Sequence, residues 1–587
     1  MGCLAGLARA IFGLWRDETA RPCPAFNAEA PLLRVVTALA EGADRMAARA
    51  ALGLDAPDCA VMISCPLPFA REAYAKDFAS AASKAEFEAL LGKAQSVFEL
   101  AEPAPAERAQ NYLAAGIATL QNADVLLAVW NGKAATGKGG TGEIVERAAN
   151  AGIPVLWINP ATPLAVMLVW PKRAPWQLAE LSLERLRSAA EPVTPPMYAE
   201  LVHKLCAPPD RPAARQNGHM AAGDADERAA LNDYLTEVAP ASAPLNDANW
   251  RGFFAALPAG AQPLAQLLEA RVLPRYVSAD SLASFWARRH RQGYVFNFVL
   301  AAFAVLFALI SVPFESWKIY TTLAEVACII AIIALTYVGQ SRRWHARWIE
   351  TRLLAEKLRL MLFLPLTGAA GAALRRPQGA PDEAALSWTG FYAAATQREI
   401  DLPNAVVDRD YVRATALALR QGVIGGQIAY HRHRAERYPH HEHRLHLLGA
   451  LCIFGALAVS LLFLAARAVT CAQGEHGLAL ACVFGVENMP EWLEAARHWV
   501  PFLAGVLPAA GAAAYGVRLQ SDFEGTQARS RGMLEALEAL DRALEKEAPT
   551  MSFARLGEIA GFAADIMNGN LASWQVAFEG RPLALPG

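Results

Sequence analysis

The stretch GYVFNFVLAAFAVLFALISVPF, residues 293–314, carries no charge on any face. A helix needs about 20 apolar residues to cross the hydrocarbon core of a bilayer. A water-soluble helix of that length keeps a charged or polar face, and this one does not. Three further stretches repeat the pattern: residues 319–338 hold a single charge, Glu325, and residues 447–466 and 500–517 hold none. They predict two transmembrane helical pairs, 293–338 and 447–517. The composition agrees, with 54% apolar and 19% charged residues against about 25% charged in soluble domains.

Flanking Lys and Arg set orientation, because they favour the cytoplasmic side. Arg288, Arg289 and Arg291 precede the first span, and Arg342, Arg343 and Arg347 follow the second. Arg432, Arg434, Arg437 and Arg444 precede the third, and Arg518, Arg529 and Arg531 follow the fourth. The other side has Lys318, and an external loop, 467–498, in which Arg467 and Arg497 are offset by Glu475, Glu487, Glu491 and Glu494. The bias predicts a multi-pass protein of an inner or plasma membrane with both termini cytoplasmic. Glu325 either lines a pathway or snorkels to the nearby surface. Pro501, Gly505, Pro508, Gly511 and Gly516 predict close helix packing in span four rather than a kink. Cys471 and Cys482 share the external loop, where an oxidising compartment would permit a disulfide.

A chain of 587 residues exceeds one domain. The expected divisions are an N-terminal arm (1–30), an α/β domain (31–205), a flexible linker (206–226) and a helical connector (227–292). A cytoplasmic helical region (339–446) separates the two transmembrane pairs, and cytoplasmic helices (518–587) follow them. The net charge of −2 gives no case for nucleic acid as a partner. The nine cysteines form no C-x-x-C pair, so neither a zinc ribbon nor a redox dithiol is indicated. No metal or bound cofactor is expected.

Residues 31–160 alternate short apolar runs with helical patterns, the mark of a parallel α/β sheet. Strands are predicted at 32–39, 59–64, 96–100, 124–130 and 153–159, with helices near 43–53, 71–93, 106–121 and 142–152. Ligands of such sheets bind beyond the carboxyl ends of the strands. Two strand ends stand out. TALAEGAD (37–44) turns at Glu41-Gly42 and places Asp44 in the first turn of a helix. VWNGKAATGKGGTGEIVERA (129–148) sets Gly137, Gly139, Gly140 and Gly142 before a helix, beside Lys133 and Lys138. Glycines let backbone amides approach an anion, and a helix N-terminus adds a favourable dipole. The candidate ligand-binding residues are therefore Thr37, Glu41, Gly42 and Asp44 in the first turn. In the second they are Asn131, Gly137, Lys138, Gly139, Gly140, Thr141 and Gly142.

At these residues the chain resembles the SLOG superfamily, a Rossmann-like group that includes the DprA proteins and the LOG phosphoribohydrolases. TALAEGAD is similar to the DprA-type S-G-L-A-R-G-I-D turn. GGTGEIVE (139–146) is similar to the LOG-type G-G-x-G-T-x-x-E, matching Gly139, Gly140, Gly142 and Glu146. LPFAREAYAKDF (67–78), with Tyr74, Asp77 and Phe78, resembles a bacterial branch of the same superfamily. The chain departs from the LOG pattern at Lys138, where that pattern has Pro, and at Glu143, where it has Thr. Arg108 lies too far from Asp124 in sequence to match the LOG catalytic Arg. The resemblance implies a nucleotide or nucleotide-derived ligand and, were the chain an enzyme, Glu146 or Glu143 as its catalytic carboxylate.

After span two, SRRWHARWIETRLLAEKLRLMLFLPL (341–366) continues as a helix laced by Arg352–Glu356 and Glu356–Arg359 pairs. Trp344 and Trp348 fall on one stripe at the membrane boundary. Arg352, Ala355, Glu356 and Arg359 resemble the juxtamembrane helix of SLATT-type membrane proteins, and residues 507–530 resemble their final span. That family is thought to supply pore-forming effectors of nucleotide-triggered bacterial defence. The histidines between Tyr430 and His446 alternate with arginines, which favours a basic membrane-facing collar over a metal site.

These readings converge on a membrane sensor-effector: a cytoplasmic domain binds a nucleotide derivative and shifts a four-span region, as a homo-oligomer, towards permeability. The alternatives are a membrane-anchored nucleotide N-glycosidase and a non-conducting scaffold with a degenerate pocket.

Overall fold

The computed structural model describes residues 1–21, 24–101, 108–170, 181–210, 226–238, 248–371, 387–473 and 491–585. Most of the linker expected at 206–226, and Cys482 with the middle of the external loop, lie outside them. The chain divides into two compact units. The first comprises residues 1–281, 351–428 and 536–572; the second comprises 282–350, 429–535 and 573–587.

In the first unit, β1 (Leu32–Val36), β2 (Ala60–Leu67) and β3 (Ser96–Leu100) are parallel neighbours. The connections contain α1 (Gly2–Thr19) before β1, α2 (Ala43–Leu52) after it, and α3 (Ala81–Leu91) after β2. Next come α4 (Arg108–Gln121), β4 (Leu126–Val129), α5 (Thr141–Asn150) and β5 (Val155–Ile158). The predicted strands all form, but not as one sheet. β4 and β5 pair in parallel in a second four-stranded sheet, continued by β6 (Val166–Val169), antiparallel to β5, and β7 (Glu191–Pro192), antiparallel to β6. A tight turn explains the reversal: Asn159 Oδ1 accepts from Ala161 N–H at 3.0 Å and folds the chain straight back.

The first sheet is completed from far along the chain. β8 (Ala405–Val407) pairs in parallel with β3, Phe98 opposite Ala405 and Leu100 opposite Val407. It lies in the stretch read from sequence as a helical region between the two transmembrane pairs. Asn404 Oδ1 accepts from Val97 N–H, and Asp401 accepts from the Ser64 hydroxyl at 2.8 Å, so the approach to β8 is pinned to β2 and β3.

Helix α1 is part of the core. Its residues Leu4 and Ala8 pack on Leu33 of β1, while Cys3 and Leu7 pack on Leu156 of β5 and on Leu201 and Val202 of α6 (Pro195–Cys206). The spacing of three to four residues puts both pairs along one helix flank, so one amphipathic helix serves both sheets. The juxtamembrane helix Trp344–Met361 shows the expected lacing, since Glu356 pairs with both Arg352 and Arg359, and Arg352 also reaches Asp280 at 3.0 Å.

Four helical stretches are long and apolar enough to cross a membrane, and only 11–17% of each one's most apolar window is buried within the protein. In the second unit they are α7 (Leu273–Ile310, from Leu282), α8 (Lys318–Ser341), α9 (Gly425–Gln473, from Ala429) and α10 (Glu491–Ser521). The outer face of α8 is a band of exposed Leu323, Val326, Ile329, Ile330 and Ile333. Its opposite stripe, Thr321, Ile332, Thr336 and Gly339, is buried. Glu325 and Cys328 fall on that inner stripe and are half-buried. Asn297 of α7 donates to Thr336 Oγ1 at 2.8 Å. The glycines of α10 allow close packing: Gly511 lies against Gly449 and Cys452 of α9, Gly516 against Phe298 and Gly505 against Leu309. The helix runs unbroken through Pro501 and Pro508.

Candidate functional site

The two strand ends singled out by sequence have different chemistry. After β1, Thr37 N–H still donates to Ser64 O at 3.0 Å, extending the strand register by one residue. Leu39 then takes a φ of +55° while fully buried, which is uncommon outside glycine. Two bonds hold it there: its N–H reaches Thr37 Oγ1 at 3.3 Å, and its carbonyl accepts from Arg45 Nε at 3.0 Å. Gly42, at φ +92°, caps α2 in a conformation that side chains resist.

Asp44 accepts from Ala40 N–H beneath this turn. Burial pushes its carboxyl above the usual aspartate range, against the pull of bonds from Thr37 and from the backbone of Ala40 and Ala38. Arg45 is almost fully buried and lies 4.2 Å from the Phe78 ring centroid. It donates to Ser83 O and Oγ at 2.9 and 2.7 Å and pairs with Glu86 at 3.3 Å, while Glu41 takes the Ser83 hydroxyl. The acidic and basic groups of the first turn are thus occupied within the protein itself.

The turn after β4 is built to leave donors free. Its foot is fixed by two tryptophans: Trp157 Nε1 donates to Trp130 O, and Trp130 Nε1 to Lys133 O, both at 2.7 Å. Asn131 Oδ1 accepts from Lys133 N–H and shapes the bend at Gly132, φ +79°. Gly139, at φ +76°, passes so close to α4 that a Cβ there would lie 2.7 Å from the Leu113 amide nitrogen. A Cβ on Gly142 would lie 2.7 Å from Lys133 O. Both positions therefore demand glycine. Gly140 N–H closes a small turn onto Gly137 O at 3.2 Å.

Glu143 braces the loop. One carboxylate oxygen accepts from Gly139 N–H at 2.8 Å, and the other pairs with Arg147 at 2.9 Å. The Gly139 amide, followed by Arg147, holds this carboxyl below the ordinary glutamate range. The amides of Thr141, Gly142 and Glu143, in the first turn of α5, make none of the loop's hydrogen bonds among the described residues. Gly142 and Glu143 border an open hollow of about 350 Å³ that is also lined by Gly137, Lys138, Glu146 and Leu183.

No hydrogen bond or ion pair among the described residues joins the two turns. The third motif forms a separate cluster: Asp77 pairs with Arg108 at 2.8 Å and takes the Tyr112 hydroxyl, while Tyr74 and Phe78 are core residues packed on Phe87. Asp124 does have an arginine partner, but it is Arg398, at 2.9 Å. Sequence reasoning missed Arg45 and Arg398. Neither sits in a local pattern, and only the fold brings their partners to them. No family model, curated protein or solved structure matches the chain.

Proposed function

We propose that the chain is a membrane sensor-effector whose α/β unit binds the phosphate of a nucleotide or nucleotide derivative at the glycine loop, 137–143. The observation that carries this reading is the set of unbonded amides at Thr141, Gly142 and Glu143, opening on a hollow beside Lys138. Backbone donors at a helix N-terminus next to a cation are a ready-made phosphate cradle. The Rossmann-like and SLOG-like resemblance of residues 31–160 points to the same ligand class.

The membrane arrangement has support of its own. β3 precedes spans one and two in the chain and β8 follows them, yet the two strands hydrogen-bond to each other. The chain therefore returns to the side it left, as paired spans require, and the arginine bias makes that side the cytoplasm. Cys471, which the structure places in the last turn of α9 rather than in the loop expected from residue 467, lies at the end assigned to the outside and is disulfide-bonded, which suits an oxidising compartment. Four spans from one copy enclose little space, so permeability implies a homo-oligomer. Ligand binding must favour one state of the spans over the other, typically by about 1–3 kcal/mol.

The test is calorimetry of the full-length protein in detergent against ATP, NAD and adenosine monophosphate. Binding that weakens with added salt, drops at least fivefold in Lys138→Ala and vanishes in Gly140→Val is the expected result. Equal binding by wild type and both variants would place the ligand elsewhere and sink the proposal.

A further inference from the structure

Helix α11 (Phe553–Glu579) is followed by residues 580–585, which lie across three membrane helices at one end of the second unit. It is the end at which span one begins and spans two and four finish. Pro582 lacks an amide hydrogen and stops the helix from continuing. The segment instead takes its hydrogen bonds from side chains. Gln520 of α10 donates to Arg581 O at 2.9 Å, Gln340 of α8 to Leu583 O at 3.0 Å, and Asn297 of α7 reaches Ala584 O at 3.5 Å. Arg581 returns two bonds, to Leu519 O at 2.9 Å and to Asp522 at 3.0 Å.

At the centre is one knob. Leu583 is 3% exposed, whereas Pro582 before it and Ala584 and Leu585 after it are open to solvent. Its seat is made by two glycines on different spans. A Cβ on Gly293 would stand 3.3 Å from Leu583, and a Cβ on Gly339 would collide with it. Trp286, Tyr294 and Trp344 wall the seat. We infer that residues 580–585 are a detachable strap that clasps α7, α8 and α10 at this end, and that its release is the step by which the four-span unit opens. The inference rests on the sensor-effector reading.

Chemistry favours a strap over a permanent joint. The segment makes no strand or helix pairing, so it is held by one leucine and a few side-chain bonds that can be exchanged for water. Gln340, at the end of α8, finds its acceptor in the strap, while Asn297, whose nearer acceptor is Thr336 Oγ1, reaches the strap at 3.5 Å. Once the strap leaves, the exposed Gln340 exchanges its bond for water, and Leu583 vacates the seat between Gly293 and Gly339 at that end of the inner stripe.

The experiment uses the full chain in liposomes loaded with a self-quenching dye. Leu583→Asp should release dye at least tenfold faster than wild type without added nucleotide, and Gly339→Leu, which fills the seat and leaves the strap intact, should do the same. The double variant Gly339→Cys with Leu583→Cys, once oxidised, should leak no faster than empty liposomes even with ATP or NAD, and reduction should restore its response. An oxidised double variant that leaks like its reduced form overturns the strap. So does a wild type opened by ATP or NAD while both single variants leak no faster than the unliganded protein; in that case permeability stands and the gate lies elsewhere. Dye retention by every protein under every condition overturns the permeability reading itself, and the strap as a gate with it.

Discussion

The turn after β1 and the turn after β4 look alike in sequence: each follows a strand, contains glycine and opens a helix. In the fold they differ. In the first, Glu41, Asp44 and Arg45 are all bonded to protein groups, although Arg45 Nη2 is buried without a partner and the first amides of α2, like those of α5, make no bond among the described residues. The second uses Glu143 and two tryptophans as braces and leaves the first amides of α5 unused. Glycine content therefore does not identify a ligand loop. What separates the two is their surroundings: side chains committed to the fold at α2, and an open hollow beside Lys138 at α5.

That contrast can be broken by experiment. The largest effect should come from Arg45→Ala, which leaves the Leu39 and Ser83 carbonyls without their charged donor; such losses cost about 1–3 kcal/mol each. Chemical denaturation should show it, while Lys138→Ala should stay within about 0.5 kcal/mol of wild type. Comparable losses would mean that the second turn, like the first, spends its side chains on holding the fold. Next in size, Gly142→Val should lower nucleotide affinity at least tenfold, about 1.4 kcal/mol, because its side chain has no room beside Lys133 O. Gly42→Ala should cost about 1 kcal/mol of stability through its positive φ and leave binding untouched.

The two carboxylates should then give opposite pH responses. Asp44 titrates above its ordinary value of 3.8, so its contribution favours the folded state below that pH and is lost as pH rises through the raised value. Asp44→Asn should therefore melt higher than wild type at neutral pH, with the gap closing as the pH falls towards 3.8. Glu143 titrates below its ordinary value of 4.5, so its contribution is present above that pH and fades on acidification. The smallest effect expected is with Glu143→Gln: a few-fold change in affinity at neutral pH, upward because a negative charge leaves the phosphate cradle. A large loss instead would make Glu143 a ligand-contacting group rather than a brace.

How much of this was legible in the sequence follows from the range of each interaction. The four long apolar helices were readable because runs of that length with at most one charge are rare outside a membrane-crossing helix. The five strands and the glycine loop were readable because their periodicity and turn chemistry are local. β8 was not, since three residues, Ala405–Val407, carry no pattern, and they become a strand only because β3 offers an edge. Arg398 could not be assigned to Asp124, nor Arg45 to Ser83 and Glu86, because those partners meet only after packing. The seat for Leu583 was invisible for the same reason. Gly293 and Gly339 look like ordinary glycines of apolar helices until a third segment is laid over them.

The dependence of β3 on β8 also sets a timetable for synthesis. Residues 405–407 leave the ribosome only after both spans of the first pair have been made. Until then the edge at Phe98–Leu100 is unpaired, and such an edge accepts whatever strand it meets. The nascent sheet must wait in this state while the two long apolar helices Leu273–Ile310 and Lys318–Ser341 are made, a period in which a holding chaperone would protect it. A fragment ending before residue 405 never leaves that state. Recombinant versions of the α/β unit should carry residues 387–428 joined back by a linker, or they will expose an aggregation-prone edge.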